Sequence, residues 1–221
     1  ELECRCRFWN ASPEIHVNFC LTDKQETPVV EAGHAVFCLN LDVKTPRINE
    51  TGCMIHPMRD VVPGSNNTMF LAEGFIDLCG ETAAMKIEPV DSPLVSFGRE
   101  RIYTYAPEAS AVHPPVYFNL FNNQWGTNFP QWLGGTIESE FRLYPHAAAL
   151  PGHELFSLGT RPGRTDLPFE LCTPGLVLQN FKIAEDCSGV ILRLRFHGEE
   201  KQQGMVRVSL KMSRVYLCTP D

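Results

Sequence analysis

The chain has 221 residues, of which 43% are hydrophobic and 20% are charged, so it has the composition of a folded globular protein with a sizeable core. Its net charge of −7 argues against nucleic acid or an anionic membrane as a partner, because both bind clustered lysine and arginine. No apolar run reaches the length of about 18 residues that predicts a transmembrane helix.

The first half of the chain has the pattern of short β-strands. Apolar and polar residues alternate over residues 2–10 and again over 15–21, which is typical of half-buried strands, and an apolar run at 35–41 predicts a third. Further short strands are predicted at residues 47–50, 69–72, 75–79, 85–88, 94–97 and 101–105. Strands at this density, separated by turn residues, predict an all-β sandwich or barrel.

Two strands are predicted at residues 116–121 and 136–144. In the second strand, one face carries Ile137, Ser139, Phe141 and Leu143, and the other carries Glu138, Glu140 and Arg142.

A short helix is predicted within residues 146–159, through residues 147–150, and Pro151-Gly152 is expected to end it.

The last part of the chain is predicted to hold a long surface connection and a hairpin. Residues 160–175 are rich in proline and glycine, with a short strand expected at 169–172. Strong strand patterns at 189–196 and 205–212, joined by a turn that contains Gly198, predict an antiparallel hairpin. No internal repeat or linker divides the sequence, so we predict one β domain over residues 1–221.

Between the strands at 116–121 and 136–144 lies a loop rich in amides and aromatic residues, residues 122–132. Its sequence is Asn122-Asn-Gln-Trp-Gly-Thr-Asn-Phe-Pro-Gln-Trp132. So many large amphipathic side chains are unusual for a solvated turn. The loop is predicted to be either a packed corner or the rim of a concave site.

A second polar loop follows the strand that ends near Ile55. It combines His56, the pair Arg59-Asp60 and the amides Asn66 and Asn67. One interpretation is a turn in which Asn and Asp side chains bond their own backbone. The other is a sugar site, where such groups hold hydroxyls and an apolar sugar face stacks on tryptophan.

Signatures of common enzyme classes are absent from the sequence. It contains no G-x-G-x-x-G, no G-x-x-x-x-G-K-[ST], no G-x-S-x-G and no H-E-x-x-H. Glu88 and Asp91 supply two carboxylates on a proline-containing turn, but glycoside hydrolysis requires a defined separation between such groups, so we assign no catalytic pair.

The nine cysteines are odd in number and widely spread. Several occupy apolar positions in strand patterns, such as Cys20 and Cys38, where a free thiol packs as a small hydrophobic side chain. We therefore expect reduced thiols in a cytoplasmic protein. Cys4 and Cys6 form the one close pair, and no second pair completes a zinc site, so we predict no metal or other cofactor in this chain.

Three segments together resemble the C-terminal β region of family 38 α-mannosidase-like glycoside hydrolases and their bacterial relatives of unassigned specificity. The likeness extends over residues 35–145 and, through the terminal strand patterns at 192–217, over residues 189–217. One of the three segments is Val116–Pro130, and its most specific part is Asn122-Asn-Gln-Trp-Gly-Thr-Asn-Phe-Pro130. The other two segments are Asp60-Val-Val-Pro-Gly-Ser-Asn66 and Glu88-Pro-Val-Asp-Ser-Pro-Leu-Val-Ser-Phe-Gly98.

The resemblance implies a large antiparallel sandwich of the galactose-mutarotase supersandwich type, with at most one or two short helices. The family's zinc ligands and nucleophile belong to an N-terminal barrel that opens with His-x-Asp, and no His-x-Asp occurs in this chain. The expected role is therefore a non-catalytic accessory domain that packs on the catalytic domain of the same polypeptide and walls its sugar cleft. The residues expected at the sugar or the barrel interface are Asn123, Gln124, Trp125, Asn128, Trp132, Asp60, Asn66 and Asn67.

Two alternatives from other classes stay open. A free-standing sandwich could bind carbohydrate or act as a mutarotase-like epimerase, for which His56 as acid and Glu88 as base is the pair to test. A purely structural interaction domain would bury the tryptophan-rich loop against a partner.

Overall fold

The computed structural model describes residues 1–50, 53–102, 112–124, 132–148, 150–159, 168–173, 176–196, 203–209 and 211–218. The chain divides into two compact units, Glu1–Pro151 and Gly152–Asp221, and each is described by itself. The single domain predicted over residues 1–221 stays a prediction.

The described residues of the first unit form eleven strands in two antiparallel sheets. The strands are β1 (Leu2–Trp9), β2 (Ser12–Lys24), β3 (Ala32–Phe37), β4 (Thr45–Glu50), β5 (Cys53–Ile55), β6 (Phe70–Leu71), β7 (Ile76–Cys79), β8 (Ala83–Pro89), β9 (Leu94–Phe97), β10 (Val116–Asn122) and β11 (Gly135–Ala147). The larger sheet has the order β1-β2-β11-β8-β7-β4-β5, and the smaller sheet has the order β3-β10-β9-β6.

The core of the first unit contains the apolar faces of both sheets. Alternation along each strand directs one set of side chains inward, as at Val17 in β2, Ile87 in β8 and Val95 in β9, all of them buried. Phe141 of β11 packs against Phe37 and Phe118 of the smaller sheet, with ring centroids 5.2 and 5.0 Å apart. Edge-to-face and tilted contacts of this kind stabilise a core beyond their burial alone.

The predicted all-β antiparallel sandwich is confirmed, since the regular secondary structure of the described residues is strand throughout, apart from one short helix. The face assignment for the strand now labelled β11 is also confirmed. Ser139, Phe141 and Leu143 are buried on the core side, whereas Glu138, Glu140 and Arg142 alternate with them on the other face.

The second unit contains a short helix and two small antiparallel pairs of strands. The elements are α1 (Gly152–Ser157), β12 (Phe169–Leu171), β13 (Leu176–Ile183), β14 (Val190–Phe196) and β15 (Val206–Val208). β13 pairs with β14, and β12 pairs with β15.

The predicted hairpin between residues 189–196 and 205–212 is wrong, because β14 pairs with the preceding strand β13. A tight turn enforces this pairing: Ala184 N–H donates to the Gly189 carbonyl at 2.9 Å, and Cys187 adopts a left-handed φ of 57°. The Asp186 carboxylate accepts hydrogen bonds from Ser188 and closes the turn.

The predicted helix is displaced along the chain. Residues 147, 148 and 150 do not form it, because Ala147 pairs with Ala83 at the end of β11, and α1 begins after Pro151; residue 149 lies outside the described residues. A proline before the first turn is compatible with a helix, since no intrahelical partner is required for its missing N–H. Of the strand predicted at 101–105, residues 101–102 are not strand and the rest lie outside the described residues.

The described part of the chain contains no helix long and apolar enough to cross a membrane.

Replacing Phe141 with alanine should remove the ring that joins the two sheets. We expect a loss of about 3–5 kcal/mol in the free energy of unfolding, because large-to-small changes leave a cavity in a packed core. Chemical denaturation measures this loss. Phe8→Ala is the matched control, because Phe8 is 70% exposed, and a similar loss in both variants would contradict the core described here.

Candidate functional site

The loop that connects β10 to β11 begins at a buried asparagine. Asn123 Oδ1 accepts the backbone N–H of Glu31 at 2.7 Å, and Asn123 Nδ2 donates to the carbonyls of Thr27 at 3.3 Å and Val29 at 2.9 Å. The Asn123 N–H also donates to the Glu31 carbonyl at 3.1 Å. The side chain therefore joins the start of the loop to residues 27–31, and its predicted contact with sugar stays a prediction.

The far end of the loop is fixed by a buried lysine at the end of β2. Lys24 Nζ donates to the Leu133 carbonyl at 2.6 Å and forms an ion pair with Glu31. It also lies 5.2 Å from the centre of the Phe121 ring, and only 8% of its side chain is exposed. A buried ammonium group requires partners of this kind, so we define Lys24, Glu31 and Asn123 as the loop anchor.

The side chains next to the loop anchor are open to solvent. Gln124 is exposed, and Trp132 is 56% exposed. Trp125 and Asn128 lie within residues 125–131, outside the described residues. An exposed indole and an exposed amide can stack on a sugar ring and bond its hydroxyls.

The second predicted loop is organised by Asp60. Its carboxylate accepts the backbone N–H of His56 at 2.8 Å and the Arg59 guanidinium at 2.6 Å. These hydrogen bonds, from Arg59 first and then from His56, lower the pKa of Asp60 to about 2. Burial lowers the pKa of His56, and the nearby Arg59 lowers it further.

The two amides of this second loop differ in their surroundings. Asn66 is exposed, and its Oδ1 accepts from the Thr68 hydroxyl at 2.9 Å and from the Thr68 N–H at 3.3 Å. Asn67 is buried, with 6% of its surface exposed. Asp60 and Asn66 thus bond neighbouring residues as turn-forming side chains do, and their predicted role at a sugar stays a prediction.

A polar cluster that was not predicted from the sequence lies on the outer face of the larger sheet. Glu14 and His16 alternate on β2 with the core residues Ile15 and Val17, and His16 Nε2 lies 2.5 Å from Glu14 Oε1. Tyr144 donates from its hydroxyl to Glu14 at 3.1 Å or to Glu88 at 3.2 Å. Lys86 Nζ lies 2.7 Å from Glu88 Oε1. We define these five polar residues as the outer-face network: Glu14, His16, Lys86, Glu88 and Tyr144.

Burial shifts the pKa values of two members of this network, Lys86 and Tyr144. Lys86 is 1% exposed and lies over the Phe75 ring at 4.4 Å. Burial lowers the pKa of Lys86, although Glu88 opposes this change. Burial, together with the charges of Glu88 and Glu14, raises the pKa of Tyr144, so its hydroxyl keeps its proton and donates.

The solvent-exposed part of the outer-face network, at Glu14 and His16, lies next to Trp9 of β1. The Trp9 and His16 rings are in edge contact with centroids 4.4 Å apart. The side chains of His16 and Glu14 are 21% and 12% exposed. A histidine paired with a carboxylate is the arrangement that general acid–base catalysis uses.

A second charged group lies next to the outer-face network, around the fully buried Asp77 of β7. The Asp77 carboxylate accepts from Arg47 Nη2 at 2.7 Å and is 2.8 Å from His146 Nε2. Arg47 also donates to the Leu150 carbonyl at 2.7 Å, which ties the segment after β11 to β4.

The pair His56 and Glu88, proposed in the sequence analysis for an epimerase, has two separate sets of partners. His56 is next to Arg59 and Asp60, whereas Glu88 is next to Lys86 and Tyr144. The histidine of the outer-face network is His16, which lies next to Glu14. The same period-two argument that assigned the faces of β11, applied to β2, would have placed Glu14 and His16 on one face.

No protein-family model matches the chain, and no curated protein matches it. Within the described ranges, no group of three or more His, Cys, Asp or Glu side chains is arranged to hold a metal ion.

Replacing Asp77 with asparagine should leave the charge of Arg47 buried without its carboxylate. We expect a loss of about 3–5 kcal/mol in the free energy of unfolding, as for other buried ion pairs that lose one partner. The matched control is Asp42→Asn, because Asp42 is 84% exposed in its pair with Lys44. This variant should change the free energy of unfolding by less than about 0.5 kcal/mol. Equal losses in the two variants, measured by chemical denaturation, would contradict this assignment.

Proposed function

We propose that this chain is a non-catalytic β-sandwich domain of a family 38 α-mannosidase-like glycoside hydrolase, of the galactose-mutarotase supersandwich type. The loop of residues 122–132 forms part of the wall of a sugar cleft, and the N-terminal catalytic domain of the same polypeptide supplies the reaction. The main observation that supports this proposal is the loop anchor, which fixes both ends of the loop while Gln124 and Trp132 stay exposed.

The position of the loop in the fold supports a binding role. It connects β10 and β11, which are interior strands of the two sheets, and Phe118 and Phe141 of these strands are in contact across the core. A loop held at both ends by rigid elements loses less conformational freedom on binding than an unsupported loop.

The side chains and the charge of the chain favour a neutral oligosaccharide, and the family resemblance suggests the mannose type. An amide donates to and accepts from hydroxyls, and an indole stacks on the apolar face of a sugar ring. The net charge of −7 disfavours sulfated or uronic-acid polymers, because these are anionic. No metal or other cofactor of this chain takes part in the proposed role.

The test of this proposal is the Trp132→Ala variant, titrated with neutral mannose oligosaccharides by calorimetry. We expect the affinity to fall about tenfold or more, because a stacked tryptophan contributes more than roughly 1 kcal/mol to binding. The free energy of unfolding should change by less than about 0.5 kcal/mol, since the indole is exposed.

Trp9→Ala is the matched control, because Trp9 is an exposed indole on the outer face of the larger sheet. Unchanged affinity in Trp132→Ala would contradict the proposal. Loss of affinity in Trp9→Ala alone would assign sugar binding to the outer-face network instead.

The second candidate is a mutarotase-like epimerase, and the contact between His16 and Glu14 next to Trp9 favours it. We expect His16→Gln to slow anomer interconversion of a free aldose roughly a hundredfold or more, since acid–base groups contribute about this much. His56→Gln is the control and should keep the wild-type rate. NMR exchange spectroscopy measures the rates, and a wild-type rate equal to that in buffer would exclude this function.

A further inference from the structure

The strand β1 forms an open edge of the larger sheet. All eight residues of Leu2–Trp9 are exposed, and among the described residues only β2 pairs with this strand. Glu1 and Thr22 exchange both backbone hydrogen bonds, at 2.9 and 2.8 Å. Antiparallel pairing alternates along the strand, so the even-numbered residues direct their N–H and C=O groups toward the open side.

The side chains of β1 are sorted by chemistry between the two faces of the sheet. One face carries the charged residues Glu1, Glu3, Arg5 and Arg7. The other face carries Leu2, Cys4, Cys6 and Phe8, with Leu2 and Phe8 69% and 70% exposed. On the charged face, Glu1 and Glu3 precede Cys4 and are acidic, whereas Arg5 and Arg7 follow it and are basic.

We propose that β1 pairs with β1 of a second copy of this chain, antiparallel and centred on Cys4. The partner is therefore the same edge strand, and the larger sheets of the two copies become continuous. Glu3 of each copy then faces Arg5 of the other, and Glu1 faces Arg7, which gives four cross-strand pairs of opposite charge. The open N–H and C=O groups of Leu2, Cys4 and Cys6 gain partners, and their side chains form one apolar row.

The charges select this register over the neighbouring ones. A register centred on Arg5 places Arg5 opposite Arg5, and one centred on Cys6 places Arg5 opposite Arg7. A register shifted the other way places Glu3 opposite Glu3. Only centring on Cys4 avoids like charges directly opposite each other, and such charges destabilise a strand pair.

Sedimentation velocity over a range of concentrations of the full chain tests the proposal. Wild type is expected to dimerise reversibly, and Glu3→Arg to weaken dimerisation about tenfold or more, because two attractive pairs become repulsive. Arg5→Glu should weaken it similarly. An equimolar mixture of the two variants should form heterodimers, since the arginine introduced in one copy then faces the glutamate introduced in the other.

The matched control is Asp42→Arg, because Asp42 and Lys44 form an exposed pair two residues apart, as Glu3 and Arg5 do. This variant should dimerise like wild type. At concentrations low enough for every protein to be monomeric, all variants should show wild-type thermal unfolding, since the changed residues are exposed. A wild type that stays monomeric, a dimer insensitive to Glu3→Arg, or a mixture without heterodimers would each overturn the proposal. Oligosaccharide affinity should not change, so this result and the proposed function can fail separately.

Discussion

The contact between Phe141 and the two phenylalanines of the smaller sheet is the constraint on which the first unit depends. Phe141 belongs to β11, which pairs with β2 and β8, and Phe118 belongs to β10, which pairs with β3 and β9. These three rings therefore connect β11 of the larger sheet to β3 and β10 of the smaller sheet. Because β10 and β11 are consecutive in the chain, the same contact determines where the candidate loop leaves and re-enters the sandwich.

Charged groups stabilise the parts of the first unit that the apolar core does not reach. Lys24 joins Glu31 and the Leu133 carbonyl at the loop anchor, while Asp77 joins Arg47 and His146 on the outer face. Each group lies where strands or connections that are distant in sequence meet. Such pairs contribute little net stability relative to apolar packing, but removing one partner is costly, so they fix the geometry of the segments they join.

The sequence predicts well what depends on local alternation. The strand Leu94–Phe97 agrees with the prediction to the residue, and the faces of β11 follow from its period-two pattern. β13 was not predicted, because a register shift between Leu178 and Asn180 interrupts its alternation, and its absence led to the wrong hairpin. The loop anchor and the contact of Tyr144 with Glu14 and Glu88 are non-local. They depend on which strands become neighbours, and no pattern within one strand contains this information.

An NMR titration of the isotope-labelled chain with a neutral mannose oligosaccharide would show whether the sugar contacts the loop between β10 and β11. We expect shifts of the Trp132 indole N–H and the Gln124 side-chain amide, with the Asn123 amide N–H protected from exchange in both the free and the bound state. Signals of Trp9 and His16 should not move. Shifts confined to Trp9 and His16, or no shifts at saturating ligand, would contradict the claim that the anchored loop is the sugar-binding surface.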